Sequence, residues 1–482
     1  MFKLSQKLHG TITHATEWRG VLSNGVNWIK NTPASELFFY IFLFFIPIQT
    51  RILFNPEQSY INWYFSYHLA IFLYLSDILA ICFIVSWIFL EKPLHLLKDR
   101  KTWLILGFFL TVLISMFHPV LETLFQYGAG VKHSGISIYE TLKWAEILLI
   151  ILYIYDKIRQ KAQFLIIYWV LFVSGVSQAL LGTLQFHVQH QVGLKWLGEY
   201  VSQIGTSGLS TIDVLGQKII RAYGTFSHPN ILAGFLLVSL FIGLYLVSRG
   251  GLKSKIFVGF GLIILYFGLF STFSRVSWAI AGLGTLIYLI ISVKHYVKHR
   301  SYESLFLLIL VLIVSYGTII ITQKDLLISR STELTNNVSL NYRAEFNSQA
   351  LTIFKQNPII GVGVGEYIPT LRETSSIVSL NEPWKAQPPH NIFLFVAVEL
   401  GFVGLILFIL ILISVLRFTW NKKHLPLVLN IFLILSSFVV VGLFDHYLVT
   451  IQQGRLIFSV ILGLAIASNN LKEKNHINEI SN

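Results

Sequence analysis

The chain has 482 residues, of which 54% are hydrophobic and only 12% are charged. Soluble domains carry about 25% charged residues, so this sequence has too few polar side chains to cover a water-facing surface, and membrane is the solvent that fits. The net charge of +13 does not indicate a nucleic-acid partner, because the basic residues lie in short clusters between apolar runs. The single cysteine, Cys82, excludes an intramolecular disulfide and a cysteine-based metal cluster.

Apolar runs long enough to cross a membrane recur along the chain. A helix needs about 20 residues to span a hydrocarbon core of about 30 Å. We therefore predict an all-α integral membrane protein with about twelve transmembrane helices, in a membrane domain of residues 37–468. The predicted runs are 37–54, 69–90, 103–120, 138–155, 163–186, 230–248, 256–272, 276–293, 304–322, 391–416, 425–448 and 452–468.

Basic clusters in short loops predict the orientation. Every even-numbered run is followed by such a cluster, for example Lys157, Arg159 and Lys161 after the fourth run. Cytoplasmic loops carry this excess of lysine and arginine, so we expect both termini in the cytoplasm. The N-terminus lacks the pattern of a signal peptide. Residues 1–36 are predicted to be a cytoplasmic lead-in and residues 469–482 a cytoplasmic tail.

Two outer loops are long, residues 187–229 and residues 323–390. The second lies between the ninth and tenth predicted helices. It contains a predicted surface helix near Tyr342–Gln356, which Asn357-Pro358 and a glycine-spaced stretch beginning at Gly361 bring to an end. Loops of this length are often lids or binding loops.

A polar motif, residues 221–230, ends the first long loop. Pro229 suits the first turn of the next helix and Ser227 suits its N-cap. Free amides at a helix N-terminus attract anions, and the fork of Arg221 is suited to phosphate. The motif therefore predicts an anion site; the alternative is an arginine that meets lipid headgroups.

Arg275 and His390 lie at other outer helix ends. An arginine this close to hydrocarbon usually faces a cavity, although it can also extend to the interface. His390 follows two prolines and precedes the tenth run. A histidine there can accept a proton near neutral pH, as a general base does, or can be an ordinary interfacial residue. The glycines of residues 401–404 are expected to permit close helix packing.

Other polar residues predict structural ion pairs. Lys143 and Glu146 are three residues apart and can pair on one helix face. Asp445 can pair with Arg455 or orient another site residue. No metal-binding motif is present, so we expect neither a metal nor another cofactor, and phosphate binding would depend on arginine.

Four stretches carry a resemblance to a known family. The sequence resembles the O-antigen ligase and O-antigen polymerase superfamily in Arg221–Gly234, in Ser274-Arg275, in Asn357–Gly363, and in His390-Asn391 with Glu399–Leu405. The resemblance covers the chain in detail from about residue 170 onward, and the whole chain in topology.

The resemblance implies a membrane glycosyltransferase of the bacterial inner membrane. Such an enzyme transfers a glycan from an undecaprenyl-diphosphate carrier to an acceptor hydroxyl on a glycan, lipid or protein, without a metal ion, at the outer face of the membrane. It implies that Arg221 and Arg275 hold the diphosphate and that His390 is the catalytic base. Further expected substrate-binding residues are Tyr223, His228, Asn230, Arg343 and Asn391, and His228 is a second histidine that could compete as the base.

Two alternatives stay open. A polymerase of the same superfamily extends repeat units instead of transferring a finished glycan, and acceptor choice lies in the outer loops. A transporter of lipid-linked sugars would show broken helices in corresponding positions of two halves and polar residues near mid-membrane. The distinctive polar residues of this chain gather at the outer face, which favours an enzyme.

Overall fold

The computed structural model describes residues 32–99, 102–117, 134–199, 208–214, 216–298, 302–324, 326, 328, 338–374 and 382–471. Most of the N-terminal lead-in and of the C-terminal tail lies outside these residues. The described residues are mainly helical. The helices are Ala34–Phe45, Leu75–Glu91, Trp103–Met116, Ser134–Lys157, Lys161–Val188, Pro229–Leu246, Leu252–Ser271, Arg275–Lys298, Tyr302–Thr322, Val338–Gln356, Tyr367–Thr374, Ile392–Asn421, Pro426–Gly442, Tyr447–Thr450 and Gln452–Ala467.

Three small antiparallel pairs of strands accompany the helices. Arg51–Leu53 pairs with Phe72–Tyr74, Tyr60–Ile61 pairs with Tyr64–Phe65, and Thr211–Val214 pairs with Gln217–Ile220. The second and third pairs lie in predicted loops, whereas Arg51–Leu53 and Phe72–Tyr74 lie inside the predicted helical runs 37–54 and 69–90, so the prediction of helix is wrong for these residues. The three pairs give their segments a defined backbone, because each strand satisfies the other's peptide groups.

Each of the twelve predicted apolar runs contains a helix. Five helices among the described residues are long and apolar enough to cross a membrane: 161–188, 229–246, 252–271, 302–321 and 392–421. The number of crossings therefore stays a prediction. The first run was predicted to be helical to residue 54, but its helix ends at Phe45. Pro47 cannot donate to a continuing helix, and residues 51–53 form a strand instead.

The helix Pro229–Leu246 lies at the centre of the bundle. All but one of its residues are buried, on every side of the helix. A helix that is apolar all round is stable only where neighbours enclose it, and here it packs against the helices that begin at Lys161, Leu252 and Pro426. The motif of residues 221–230, which ends in the first turn of this helix, is thereby placed in the interior of the protein.

The glycine-spaced stretch and residues 399–404 contact each other directly. Gly363 N–H donates to the Glu399 carbonyl (3.1 Å) and Phe402 N–H donates to the Pro358 carbonyl (2.8 Å). Gly401 has a φ of 67° and breaks the long helix at this point. The prediction that these glycines permit close packing of two helices is wrong for Gly401. The Cα of Gly401 instead faces the backbone of Ile359.

Polar residues buried among the helices form ion pairs. Lys143 Nζ lies 3.6 Å from Glu146, as the spacing predicted, and 2.7 Å from Asp77. Arg455 pairs with Glu140 at 2.5 Å, so the predicted alternative of an Asp445–Arg455 pair is wrong. A buried charge is stable only when it is paired and hydrogen-bonded, and these contacts meet that need.

Candidate active site

Arg221 is buried at one end of the bundle, where three oxygen atoms accept hydrogen bonds from its guanidinium. Its Nε donates to the Thr272 carbonyl (2.6 Å), Nη1 to Ser210 Oγ (2.7 Å) and Nη2 to Asn230 Oδ1 (2.8 Å). The Ala222 N–H also donates to the Ser271 carbonyl. These acceptors fix the orientation of the guanidinium. The observed burial argues against an arginine that simply meets lipid headgroups.

Asn230 joins Arg221 to a carboxylate from the end of the chain. Its Oδ1 accepts from Arg221, and its Nδ2 donates to Asp445 Oδ2 at 3.0 Å. An asparagine side chain has one acceptor and two donors, so it suits a position between a guanidinium and a carboxylate. The motif of residues 221–230 is thereby connected to Asp445, which is 215 residues further along the chain.

His390 faces the same carboxylate. Its Nδ1 lies 3.7 Å from Asp445 Oδ1, which is longer than a hydrogen bond but within direct electrostatic reach. Burial alone would raise the pKa of the Asp445 carboxyl, but His390, together with His446 and Arg343, holds that pKa well below its usual range. Asp445 is therefore ionised at ordinary pH and can orient the His390 ring.

His228 is held in its neutral form and caps the central helix. Its Nδ1 accepts from the Asn230 N–H at 3.1 Å; Ser227, predicted as this cap, does not fill the role. Burial, followed by the positive charge of Arg221, lowers the pKa of His228 to about 3. Because Nδ1 already accepts a hydrogen bond, the proton of the neutral ring resides on Nε2. His228 is thus poorly suited to act as the base, which favours His390.

Two further histidines surround the site. The rings of His390 and His446 are 5.2 Å apart, and those of His446 and His68 are 5.6 Å apart. Burial lowers the pKa of both His68, to about 3, and His446. His446 contacts Thr450 Oγ1 through Nδ1 at 2.7 Å, which leaves its Nε2 for another partner. The rings thus form a compact layer of neutral imidazoles beside His390.

The two remaining predicted arginines lie beside this centre. Arg343 comes from the surface helix Val338–Gln356, and its positive charge acts on both His228 and Asp445. On the same helix, Phe346 stacks on His390 with ring centroids 6.0 Å apart. Arg275 is the first residue of its helix and is half-buried. It follows the turn whose Thr272 carbonyl receives Arg221.

Two predicted substrate-binding residues have structural partners. Tyr223 is buried, and its hydroxyl accepts from the Ser210 N–H at 2.7 Å. Asn391 caps the helix that follows, since its Oδ1 accepts from the N–H groups of Phe393 and Leu394. These contacts support roles in positioning Arg221 and His390 and give no direct indication of substrate contact.

Sequence reasoning left three residues of this region without a role. Arg51 is a lone arginine at the end of the first apolar run, the same signal that drew attention to Arg275. His68 and Glu140 gave no comparable signal, because each reaches the region only through the folding of a separate segment. Of these three residues, only Arg51 could have been identified from the sequence, by its position near a predicted outer boundary.

The histidines also offer a possible metal site. Within the described part of the chain, ligand atoms of His390, Asp445 and His446 lie within 4.8 Å of one another. Two imidazoles and one carboxylate are a ligand set that zinc and related ions accept. The expectation of a metal-free site therefore stays a prediction that needs a direct test.

The helices and the buried arginine–histidine centre define a class: a polytopic membrane protein with a polar site at one end of its bundle. A comparison with family models finds a match to the family described as O-Antigen ligase over residues 260–409. The match confirms the resemblance of this chain to the O-antigen ligase superfamily. It includes Arg275, Arg343 and His390, whereas Arg221 and Asp445 lie outside it. A comparison with curated proteins finds no significant match.

Proposed function

We propose that the protein transfers a glycan from an undecaprenyl-diphosphate carrier to an acceptor hydroxyl at the outer face of a bacterial inner membrane. The observation that supports this most is the contact chain Arg221–Asn230–Asp445–His390. It holds a fixed positive charge and a candidate base in one small region. A diphosphate leaving group and a hydroxyl nucleophile need these two kinds of group.

In the proposed reaction, Asp445 orients His390 so that Nδ1–H points to the carboxylate and Nε2 is available as a base. Nε2 takes the proton of the acceptor hydroxyl while its oxygen bonds to the anomeric carbon of the glycan. The bond from that carbon to the diphosphate oxygen breaks, and the electron pair leaves with the diphosphate. Arg221 and Arg275 stabilise the negative charge that develops there, with Arg343 beside them.

The test is a transfer assay with purified protein in proteoliposomes and a polyprenyl-diphosphate glycan. We expect release of the carrier diphosphate and transfer of the glycan. Arg221→Ala, Arg275→Ala and His390→Ala should each lower the rate by about 100-fold or more. The exposed His187 provides a matched control, and His187→Ala should retain activity. Folding of each variant is checked by thermal unfolding.

The same assay separates the alternatives. Offering a lipid-linked core or a second carrier-linked repeat unit as the acceptor distinguishes a ligase from a polymerase. Movement of the donor across the bilayer without cleavage of the glycosidic bond would instead establish a transporter. Activity that is lost in EDTA and restored by zinc would support an ion held by His390, Asp445 and His446, and would contradict the metal-free mechanism.

A further inference from the structure

A polar cavity adjoins the candidate active site, and its lining residues enclose about 360 Å³ of space that is partly open to solvent. The strands Arg51–Leu53 and Phe72–Tyr74 form one side, and the beginning of the helix Gln452–Ala467 forms another. The lining combines aromatic rings with residues that form hydrogen bonds, including Tyr139, Glu140, Thr450 and Gln452.

Arg51 lines this cavity and is surrounded by rings. Its guanidinium carbon lies 4.3 Å from the ring centre of Phe72, 5.0 Å from that of Tyr67 and 5.6 Å from that of Tyr74. Its hydrogen bonds to neutral side chains are 3.0–3.4 Å long. Among the described residues, no carboxylate oxygen lies within 4.0 Å of it. The aromatic faces stabilise the cation, and the described part of the chain places no anion next to it.

The other charges of the lining balance each other. Arg455 Nη2 donates to Glu140 at 2.5 Å, and its Nε donates to the Val449 carbonyl. The negative charge of Glu140 is therefore matched by Arg455 and not by Arg51. With two arginines and one glutamate, the charged residues of the lining leave one positive charge, which favours a singly charged anion as ligand.

The cavity shares its wall with the site described above. Ser227, which lines it, directly precedes His228. Tyr67, which also lines it, directly precedes His68, and His68 packs on His446. A molecule in this cavity would thus contact Ser227 and Tyr67, the sequence neighbours of two histidines of the candidate active site, His228 and His68. A glycan held at the active site could extend into it.

We propose that this cavity is a subsite for an acidic sugar, a hexuronic acid residue of the transferred glycan. The aromatic rings would contact the apolar face of the pyranose, the side chains of Gln452, Thr450 and Glu140 would bond its hydroxyls, and Arg51 would pair with its carboxylate. The assignment of the sugar to the transferred glycan rests on the proposed function.

The test measures sugar binding to the full chain in nanodiscs by saturation-transfer difference NMR. The probes are methyl glucuronide and the uncharged methyl glucoside. We expect the wild type to bind the glucuronide and to prefer it over the glucoside by about tenfold. Arg51→Gln should remove this preference. The matched control is Arg372→Gln, since Arg372 is an exposed arginine of the outer segment, and it should bind as the wild type does.

Two results would overturn the proposal: equal binding of the two sugars by the wild type, or an unchanged preference in Arg51→Gln. If Arg51→Gln fails to fold, Arg51→Lys keeps the charge but lacks the planar fork, and should show a weaker preference of the same sign. Binding of undecaprenyl diphosphate without a glycan separates the two proposals. Arg221→Ala should lose that binding and Arg51→Gln should keep it, so either proposal can fail alone.

Discussion

Asn230 shows how a single side chain can connect groups that the chain itself keeps far apart. It accepts from Arg221 and donates to Asp445, and its own N–H bonds to His228. Through Asp445 it also helps to place His390. The charge of Asp445 and the protonation of the neighbouring histidines are therefore linked through this one side chain.

The charge of Asp445 should affect the rate more than substrate binding. Asp445→Asn keeps the size of the side chain but removes the carboxylate that orients His390. We expect kcat to fall by about 100-fold, with a small change in KM, in the transfer assay. Asp213→Asn, at an exposed position of the hairpin Thr211–Ile220, should change neither value. An unchanged kcat in Asp445→Asn would contradict the role given to Asp445.

His228 should make the fold sensitive to mild acid. Its pKa is lowered to about 3, whereas that of an unfolded histidine is about 6.5. Below about pH 6.5 the unfolded chain binds a proton that the folded chain does not, so the stabilisation is complete above that pH and falls as the pH drops toward about 3. At about 1.4 kcal/mol per pH unit, roughly 2 kcal/mol is lost by about pH 5.

The variant His228→Asn tests this pH dependence. Asparagine keeps a side-chain acceptor at the N-cap but does not titrate. Thermal unfolding in detergent should therefore show a smaller loss of stability between about pH 7 and about pH 5 for the variant than for the wild type. Equal losses in both proteins would show that His228 does not carry the effect.

At the scale of elements, the break in the helix Ile392–Asn421 holds the segment of residues 338–374 against the bundle. Residues 358–363 form backbone hydrogen bonds with residues on both sides of Gly401. The Ser115 hydroxyl adds a contact by donating to the Glu399 carbonyl and accepting from the Val364 N–H. The segment that carries Arg343 and Phe346 is thereby anchored close to the helix that follows His390.

Gly401→Ala should weaken this anchor. A Cβ at this position would lie 2.1 Å from the Ile359 carbonyl oxygen, and the φ of 67° is unfavourable for alanine. We expect a loss of about 1–3 kcal/mol, seen as a lower unfolding temperature, together with weaker transfer activity. Gly317→Ala is the matched control, because a Cβ there meets no atom within 4 Å. Equal stability of the two variants would contradict the account.

At the scale of the whole molecule, the proposed chemistry requires the site and the outer loops to share one side of the membrane. The exposed Trp196 belongs to the first long loop, whereas the exposed Lys253 lies in the first turn of the helix Leu252–Ser271, at a helix end predicted to be cytoplasmic. The positive-inside pattern predicts that these two positions face opposite compartments.

Single cysteines provide the measurement of orientation. In a Cys82→Ala background, Trp196→Cys should react with a membrane-impermeant maleimide added to intact spheroplasts. Lys253→Cys should react only after the membrane is permeabilised. The reverse pattern would place the candidate active site on the cytoplasmic side and would contradict the proposed use of an outer-face donor.

The helices and several site residues could be predicted because they depend on local patterns. Apolar runs, prolines and basic clusters act over a few residues, so each of the twelve predicted runs contains a helix and Arg221, Asn230 and His390 were singled out. Strand formation at residues 51–53 was missed, because its partner strand lies about 20 residues away along the chain. The capping role of His228 was also missed, since Ser227 fits the same local pattern.

The sequence by itself determined that this is a mainly helical chain with apolar runs suited to a membrane, that it resembles the O-antigen ligase superfamily, and that it has polar residues at the ends of its helices. The small fraction of charged residues indicates a membrane environment, and short motifs carry the family resemblance. Only the tertiary structure decided that Asp445 contacts Asn230 and His390, that Arg455 pairs with Glu140, and that Arg51 faces a separate cavity. Such pairings depend on which helix ends meet in space. The order of residues along the chain does not give the distance between two helix ends.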